Sequence, residues 1–430
     1  MFRVEILCYR GDGEMKNVCV IGGGASGLMA AYAAAKNGNN VILFEKNEKL
    51  GKKIYITGKG RCNLTNDVPP EEFLENVVRG GKFLKGAIYS FSPEAAKEFF
   101  IAHGTALKTE RGNRVFPVSD HASDVTRALE RACRETGVRI HLSETVEKLQ
   151  IQSALSDIGI MCDRIKGVKT DRGEYLCDEA IVCTGGLSYP TTGSTGDGYR
   201  FAVEAGHELG EPKPSLCGLN LKGNFFENLQ GLTLRNISLT AKRGKKTVYE
   251  GFGELLFTHF GISGPLVLSL SAMINRLPAE EIRLTLDLKP ALDQETLDRR
   301  LLRDFEKYKN RMLCNALDDL LPQKMIGAVL EASGTDGRKN VNSLTKEERR
   351  ALLWALKEFP MQPKSLRGFS EAVVTSGGVA LSGVDPKTME SKKVHGLRFC
   401  GETLDIDAFT GGFNLQIAFS TGYAAGNSIK

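Results

Sequence analysis

The run Asn17-Val18-Cys19-Val20-Ile21-Gly22-Gly23-Gly24-Ala25-Ser26-Gly27 carries the strongest architectural signal in the chain. Asn17 to Ile21 reads as a short apolar strand, Gly22 to Gly27 as a glycine turn, Leu28 to Asn37 as an alanine-rich helix, and Val41 to Glu45 as a second strand. A β-α-β unit therefore closes within about thirty residues. Gly22, Gly24 and Gly27 have the spacing that lets backbone approach a pyrophosphate, and Glu45 ends the second strand 23 residues after Gly22, where an acid accepts ribose hydroxyls. The helix that follows the turn adds free N–H groups and the positive end of its dipole.

This fingerprint serves FAD and NAD alike, and the other end of the chain separates them. Val394-His395-Gly396-Leu397-Arg398-Phe399-Cys400-Gly401-Glu402 reads as an apolar strand ending in Gly-Glu. Thr410-Gly411-Gly412-Phe413-Asn414-Leu415-Gln416 then opens a helix of small residues that reaches Gly426. In two-domain flavoproteins such a strand sets its acid, here Glu402 beside Gly401, near the ribitol. The helix start, here Gly412, Asn414, Leu415 and Gln416, faces the isoalloxazine C2 carbonyl, where its dipole favours the anionic reduced flavin. FAD is the expected cofactor.

Between these ends, helices are expected at 93–103, 120–136, 297–320, 323–332 and 345–359, the last opened by a Thr345/Glu348 capping box. A hairpin is expected from about Asp157 to Cys177, and a buried strand at Ala180 to Cys183. Beyond Pro190, β-branched alternation at Leu234 to Ala241 and Ile282 to Leu288 suggests an inserted β-rich lobe. The expected class is α/β: a Rossmann-like FAD-binding domain, of the two-dinucleotide-binding-domain flavoprotein type, with a β-rich insert and a helical lobe. The boundaries read as 15–190 for the first part of the FAD domain, 191–290 for the β-rich domain, 291–365 for the helical substrate or cap region, and 366–430 for the return to the FAD domain.

With 57 Lys and Arg against 52 Asp and Glu, the net charge is only +5, and the one basic run, Lys242-Arg243-Gly244-Lys245-Lys246, reads as a solvated hairpin. No nucleic-acid partner is expected, nor any obligate protein partner. The ten cysteines show no metal-ligand spacing, so reduced thiols and no metal are expected. Without a signal peptide or an apolar span, the expectation is a cytoplasmic protein away from membranes. Translation is expected to start at Met15, because Met15-Lys16-Asn17 leads directly into the first strand.

The loop Ile56-Thr57-Gly58-Lys59-Gly60-Arg61-Cys62-Asn63-Leu64-Thr65-Asn66 follows Lys52-Lys53 and is polar and glycine-punctuated. With Gly253 to Pro265, Val374 to Val379 and Thr410 to Ala418, it makes the chain strongly resemble the BaiN-like flavoproteins. These are a bacterial family of NAD(P)/FAD-dependent oxidoreductases, also described as aminoacetone-oxidase-like, and the resemblance runs from Lys16 to the end. It implies that Ala25 and Ser26 bind pyrophosphate and Glu45 the adenosine ribose. It further implies that Lys52, Lys53, Gly60 and Asn63 lie along the diphosphate and flavin, that Val146 meets adenine through its backbone, and that Thr184, Gly185 and Gly186 close the dinucleotide side.

Arg61 invites a redox reading of its neighbour Cys62, but no second cysteine stands at C-x-x-C spacing, and a small packed side chain is expected. His259 and Tyr189 are candidate acids for catalysis, each set against a structural role. No second glycine fingerprint supplies an NAD(P)H domain, so NADH or NADPH would dock transiently as donor. The leading expectation is reduction of a carbon-carbon double bond conjugated to a ketone, by hydride from flavin N5. Similarity to the BaiN family makes a 3-oxo steroid or bile-acid enone a reasonable small-molecule substrate. Phe225, Phe226, Phe252, Phe257 and Phe260 are offered either as its cavity or as core. The alternatives are an oxidase of a small amine or aminoketone such as aminoacetone, and a non-catalytic flavin-binding accessory protein.

Overall fold

The computed structural model describes the two-residue strand Val4–Glu5 and residues 15–155 and 161–430. The expected start at Met15 concerns residues 1–14, which outside Val4–Glu5 lie beyond the described residues. The same holds for residues 156–160 of the expected hairpin, whose described strands are Val146–Leu155, Met161–Thr170 and Glu174–Leu176. The chain divides into two compact units, 1–215 with 369–430, and 216–368.

The first unit is built on a parallel sheet in the order Leu397–Phe399, Glu179–Val182, Asn17–Ile21, Asn40–Glu45, Arg139–Leu142. Its central strands are continuously apolar between their polar ends, at Val18 to Ile21, Val41 to Phe44 and Ala180 to Val182, as a parallel sheet covered on both faces requires. The helix Ala25–Lys36 follows the glycine turn, and its alanines allow the last helix, Phe413–Asn427, to approach closely. A Cβ at Gly422 would lie 2.3 Å from the Ser26 carbonyl oxygen, and one at Gly426 2.2 Å from that of Ala30. The two ends of the sequence thus close one core.

The expected strand 394–402 is two strands. Val394–His395 pairs with Asp163–Arg164, while Leu397–Phe399 pairs with Ala180–Val182. The chain changes sheets at Gly396, whose φ of +78° and whose approach to the Asp178 carbonyl exclude a side chain. The chain also stays in the first unit past residue 190, because Leu209–Ser215 pairs antiparallel with Val374–Val379.

The second unit is a seven-stranded antiparallel sheet in the order Phe359–Met361, Ile282–Asp287, Thr233–Arg243, Lys246–Thr258, Gly261–Ser263, Leu219–Leu221, Pro363–Leu366. The helices Gln294–Lys307, Gln323–Ser333 and Lys346–Lys357 share one core with it, so the β-rich and helical stretches form a single unit. The capping box at Thr345 and Glu348 is present. The expected helix 297–320 stops at Lys307, and Leu313–Ala316 forms a separate turn. The polar run Tyr308 to Arg311 interrupts the apolar stripe there, and the Leu313 N–H bonds outward to the Lys339 carbonyl. Phe226 and Phe257 are core residues and Phe252 is exposed, so the five phenylalanines do not share one environment.

Candidate active site

The glycine turn is shaped by contacts that tolerate no side chain. A Cβ at Gly22 would lie 2.6 Å from the Cys183 carbonyl oxygen, and one at Gly27 1.8 Å from that of Gly22. Gly24 is the exception, since a Cβ there would meet nothing within 4 Å. It caps the helix Ala25–Lys36 without a side-chain hydrogen bond, so no capping side chain occupies the N–H groups of the first turn, the donor set a pyrophosphate requires.

Glu45 ends its strand buried beside this turn. Its Oε2 accepts from Gly23 N at 2.8 Å, and its Oε1 from Asn47 N at 2.8 Å and Asn47 Nδ2 at 2.6 Å. Ionised carboxylate oxygens accept more than one bond, so ribose hydroxyls can still donate to it. Ser143 N bonds the Asn47 carbonyl at 2.9 Å and Glu144 N the Glu45 carbonyl at 3.1 Å, which brings the start of the Val146 strand to the same end of the sheet. Lys52 Nζ reaches Asn47 Oδ1 at 3.0 Å and Glu48 at 2.7 Å.

The C-terminal elements meet this half directly. Gly401 has a φ of +67°, and a Cβ there would lie 2.5 Å from Ser26 Oγ. Glu402 Oε2 accepts from Lys53 Nζ at 2.6 Å, and its Oε1 from Ser188 Oγ at 2.6 Å and Thr375 N at 2.8 Å. Lys53 Nζ also reaches Ser188 Oγ at 2.5 Å, and Thr375 Oγ1 accepts from Leu187 N and Ser188 N. Thr184 and Gly185 stand at the head of this segment. The buried Thr184 hydroxyl lies against Gly198 without a hydrogen-bond partner, and Gly185 turns with a φ of +73°.

The last helix opens with Gly412 at a φ of +99° and no side-chain cap, a second uncapped helix start in the unit. A Cβ at Gly412 would lie 2.3 Å from the Thr65 carbonyl, which ties this start to the 56–66 loop. The Asn414 side chain is turned to protein, donating to the Ala408 carbonyl at 2.9 Å and accepting from Ala408 N at 3.0 Å. Gln416 is likewise committed, with Thr65 Oγ1 at 2.7 Å and the Phe91 carbonyl at 2.9 Å. The Asn414 and Gln416 side chains are therefore committed to protein, which leaves them only the backbone of this helix start for holding a cofactor. In the loop, Gly60 has a φ of +87°, and Asn63 Oδ1 is buried without a partner. Cys62 is fully buried and desolvation pushes its thiol far above the usual range, so it is a packed side chain.

These features fit FAD: an open glycine cradle, an acid at each strand end, two uncapped helix starts, and an acceptor at Asn63 awaiting a donor. FAD would lie on Gly24 to Gly27 and Glu45 at one end and on the Gly412 helix start at the other.

Tyr189 adjoins Ser188 and has a φ of +51°, uncommon for a bulky residue. His259 is exposed in the turn after Lys246–Thr258 in the second unit, its ring edge-on to Phe260 at 5.1 Å. Sequence reading missed a neighbouring cluster: Arg79 pairs with Asp407 at 3.1 Å and with the Ser376 hydroxyl, and Ser215 Oγ donates to Asp407 at 3.0 Å. Asp407 is fully buried, and desolvation raises its pKa against the pull of Arg79. Among the described residues, no three or more His, Cys, Asp or Glu side chains are grouped to hold a metal, and no helix is long and apolar enough to cross a membrane.

The sequence profile of the HI0933-like protein Rossmann domain matches residues 16–428. The chain is 31% identical over 418 residues to 3-dehydro-bile acid delta(4,6)-reductase of Clostridium scindens, covering 96% of this chain and 99% of that protein. It is 30% identical over 415 residues to the ribosomal RNA dihydrouridine synthase of Haemophilus influenzae, covering 96% and 98%. In fold it is similar to 3-ketosteroid delta1-dehydrogenase from Sterolibacterium denitrificans, with a TM-score of 0.53, 14% identity, and coverage of 96% and 99%. The Rossmann-type FAD-binding architecture and the resemblance drawn from the 56–66 loop agree with these matches. The chain belongs to the HI0933-like Rossmann-domain family.

Proposed function

We propose that this chain, an FAD-dependent oxidoreductase acting on CH-CH groups, reduces a carbon-carbon double bond conjugated to a carbonyl, with a 3-oxo steroid or bile-acid enone as substrate and NADH or NADPH as donor. When bound, FAD supplies the hydride chemistry. The chain's own part is to hold FAD through Gly22, Gly24, Ala25, Ser26, Gly27 and Glu45 at the adenosine end. Lys52, Lys53, Gly60, Asn63, Val146, Thr184, Gly185, Gly401 and Glu402, and the backbone from Gly412 to Gln416, complete the site. The observation that supports the substrate is the full-length likeness to a reductase of a conjugated bile-acid system. For the proton that ends on the α-carbon, Tyr189 has better support than His259, because it adjoins the Lys53, Ser188 and Glu402 network.

A second reading has its own support. The C5=C6 bond of uracil is also conjugated to a carbonyl, and a relative of equal coverage is a ribosomal RNA dihydrouridine synthase. Both readings ask the same chemistry of the site and differ in what must be presented to it.

An anaerobic absorbance experiment separates them. Bleaching of the flavin by NADH or NADPH, reversed by an unsaturated 3-oxo bile acid, supports the first reading. Reversal by unmodified ribosomal RNA alone moves the assignment to the second. Indifference to both nicotinamides with bleaching by aminoacetone overturns both in favour of an amine oxidase.

A further inference from the structure

The strands Glu179–Val182 and Leu397–Phe399 run parallel at one edge of the five-stranded sheet, with Val182 across from Phe399. The next residue on each is a cysteine. Cys400 N donates to the Val182 carbonyl at 3.1 Å and Cys183 N to the Ile21 carbonyl at 2.8 Å, so the ladder holds both backbones. Residues that follow a register pair in parallel strands are themselves neighbours and share a face. Cys183 Sγ and Cys400 Sγ accordingly lie 3.0 Å apart, though 217 positions separate them in the sequence.

Both thiols are free and both side chains are buried. Neighbouring strands lie about 4.8 Å apart, within the range of about 4.4–6.8 Å that a disulfide spans between Cα atoms. Bonded sulfurs stand about 2.05 Å apart, so closure draws this pair together by about 1 Å and asks little of the backbone. Cys183 packs on the glycine turn, its Cβ 3.2 Å from where a Cβ at Gly27 would stand, and Gly401, next after Cys400, rests on Ser26. A bond between the sulfurs would join the two segments where they meet below that turn.

We propose that Cys183 and Cys400 are a redox pair, which a peroxide oxidises to a disulfide that staples the C-terminal segment to the body of the first unit. In the first step one thiol sulfur attacks the peroxide O–O bond, giving a sulfenic acid and one water. In the second, the other sulfur displaces hydroxide from the sulfenic acid, and the hydroxide leaves with the remaining thiol proton as a second water. The peroxide gains two electrons, the two sulfurs lose them, and both thiol protons end in water. Burial retards the first step. Desolvation, with the contact to Cys400, pushes the Cys183 thiol up, against a hydrogen bond from Ser26. The second step needs no encounter, because the partner sulfur is already in place. The pair therefore oxidises slowly but does not stop at the sulfenic acid. The assignment is independent of which double bond the enzyme reduces.

The test exposes the FAD-loaded protein to hydrogen peroxide at about pH 8, blocks the remaining thiols with iodoacetamide in urea, and maps tryptic peptides without reductant. The expected product joins the peptides that carry Cys183 and Cys400 and is lighter than the reduced pair by two hydrogens. Cys177 shares the tryptic peptide of Cys183, so C177S keeps the link, while C183S and C400S each lose it. Disulfides that close long loops constrain the unfolded chain most. The midpoint of flavin release in urea is therefore expected to rise by about 1 M on oxidation and to return with dithiothreitol. Absence of the joined peptide once the exposed Cys162 is fully oxidised overturns the pairing. A joined peptide with an unchanged or lowered midpoint overturns the staple.

Discussion

Lys53 and Glu402, 349 positions apart in the sequence, meet with 2.6 Å between Nζ and Oε2, and Ser188 bridges them with bonds of 2.5 and 2.6 Å. Lys53 comes from the short helix Lys52–Ile56 after the first β-α-β unit, and Glu402 from the turn after the last strand of the parallel sheet. One ion pair thus records whether the two ends of the chain have met.

Breaking it is expected to loosen the cofactor before it unfolds the protein. K53M leaves Glu402 with only Ser188 and Thr375 as donors, and FAD affinity is expected to fall about tenfold. In the double variant K53M/E402Q, a coupling of about 1 kcal/mol is expected, as for contacting charged partners. Fluorescence titration of apoprotein with FAD across the four proteins measures it.

Gly24 and Gly27 are expected to separate binding from folding. A side chain at Gly24 enters open space, so G24V keeps the melting temperature of the apoprotein but loses FAD affinity by at least about tenfold. G27A drives a methyl group into the Gly22 carbonyl and is expected to cost about 1–3 kcal/mol of stability as well. Urea unfolding of the apoproteins together with FAD titration checks both halves.

Cys62 is expected to be inert. Burial keeps its thiol protonated, so native protein should resist iodoacetamide at this position while urea-unfolded protein reacts. C62A is expected to keep FAD content and reduction rate within about twofold, as peptide mass mapping and the flavin assay would show.

His207 sets a pH response unrelated to chemistry. It is buried with Nε2 at 2.7 Å from Ser391 Oγ, and desolvation, aided by Lys393, lowers its pKa from the ordinary 6.5 to about 4. The folded protein keeps the ring neutral, whereas the unfolded chain takes up a proton near pH 6.5. Its contribution is therefore present above about pH 6.5 and lost as the pH falls toward about 4, with a slope approaching about 1.4 kcal/mol per unit. Urea titrations between pH 7.5 and 4.5 should show this slope, and H207Q should flatten it.

The parts legible in the sequence were those whose chemistry is local. Gly22 to Gly27 and Glu45 announce themselves because turn, helix start and ribose acid follow within one β-α-β unit. Glu402 was readable because a Gly-Glu step ends an apolar strand. Arg79, Ser376 and Asp407 gave no such signal, since Arg79 meets Asp407 across a pairing of strands more than three hundred residues apart and Ser376 comes from a third strand. Asn414 and Gln416 look like ligand-facing polar residues in one dimension, yet helix geometry turns both side chains toward Ala408 and Phe91. The break after Lys307 was hidden because apolar residues resume at Leu313 beyond the short polar run Tyr308 to Arg311, and the tertiary bond from Leu313 N–H to the Lys339 carbonyl sets the second segment apart.

The glycine contacts of the last helix with the first have a consequence for synthesis. Ala25–Lys36 leaves the ribosome early, with the face that later receives Gly422 and Gly426 still bare. The strand Leu397–Phe399 and the helix Phe413–Asn427 emerge only at the end of translation. Residues 216–368 form a unit of their own and are complete before that moment. The nascent chain must therefore carry an unfinished first unit across the inserted one, and a stop codon falling even slightly early leaves the helix Ala25–Lys36 without its partner.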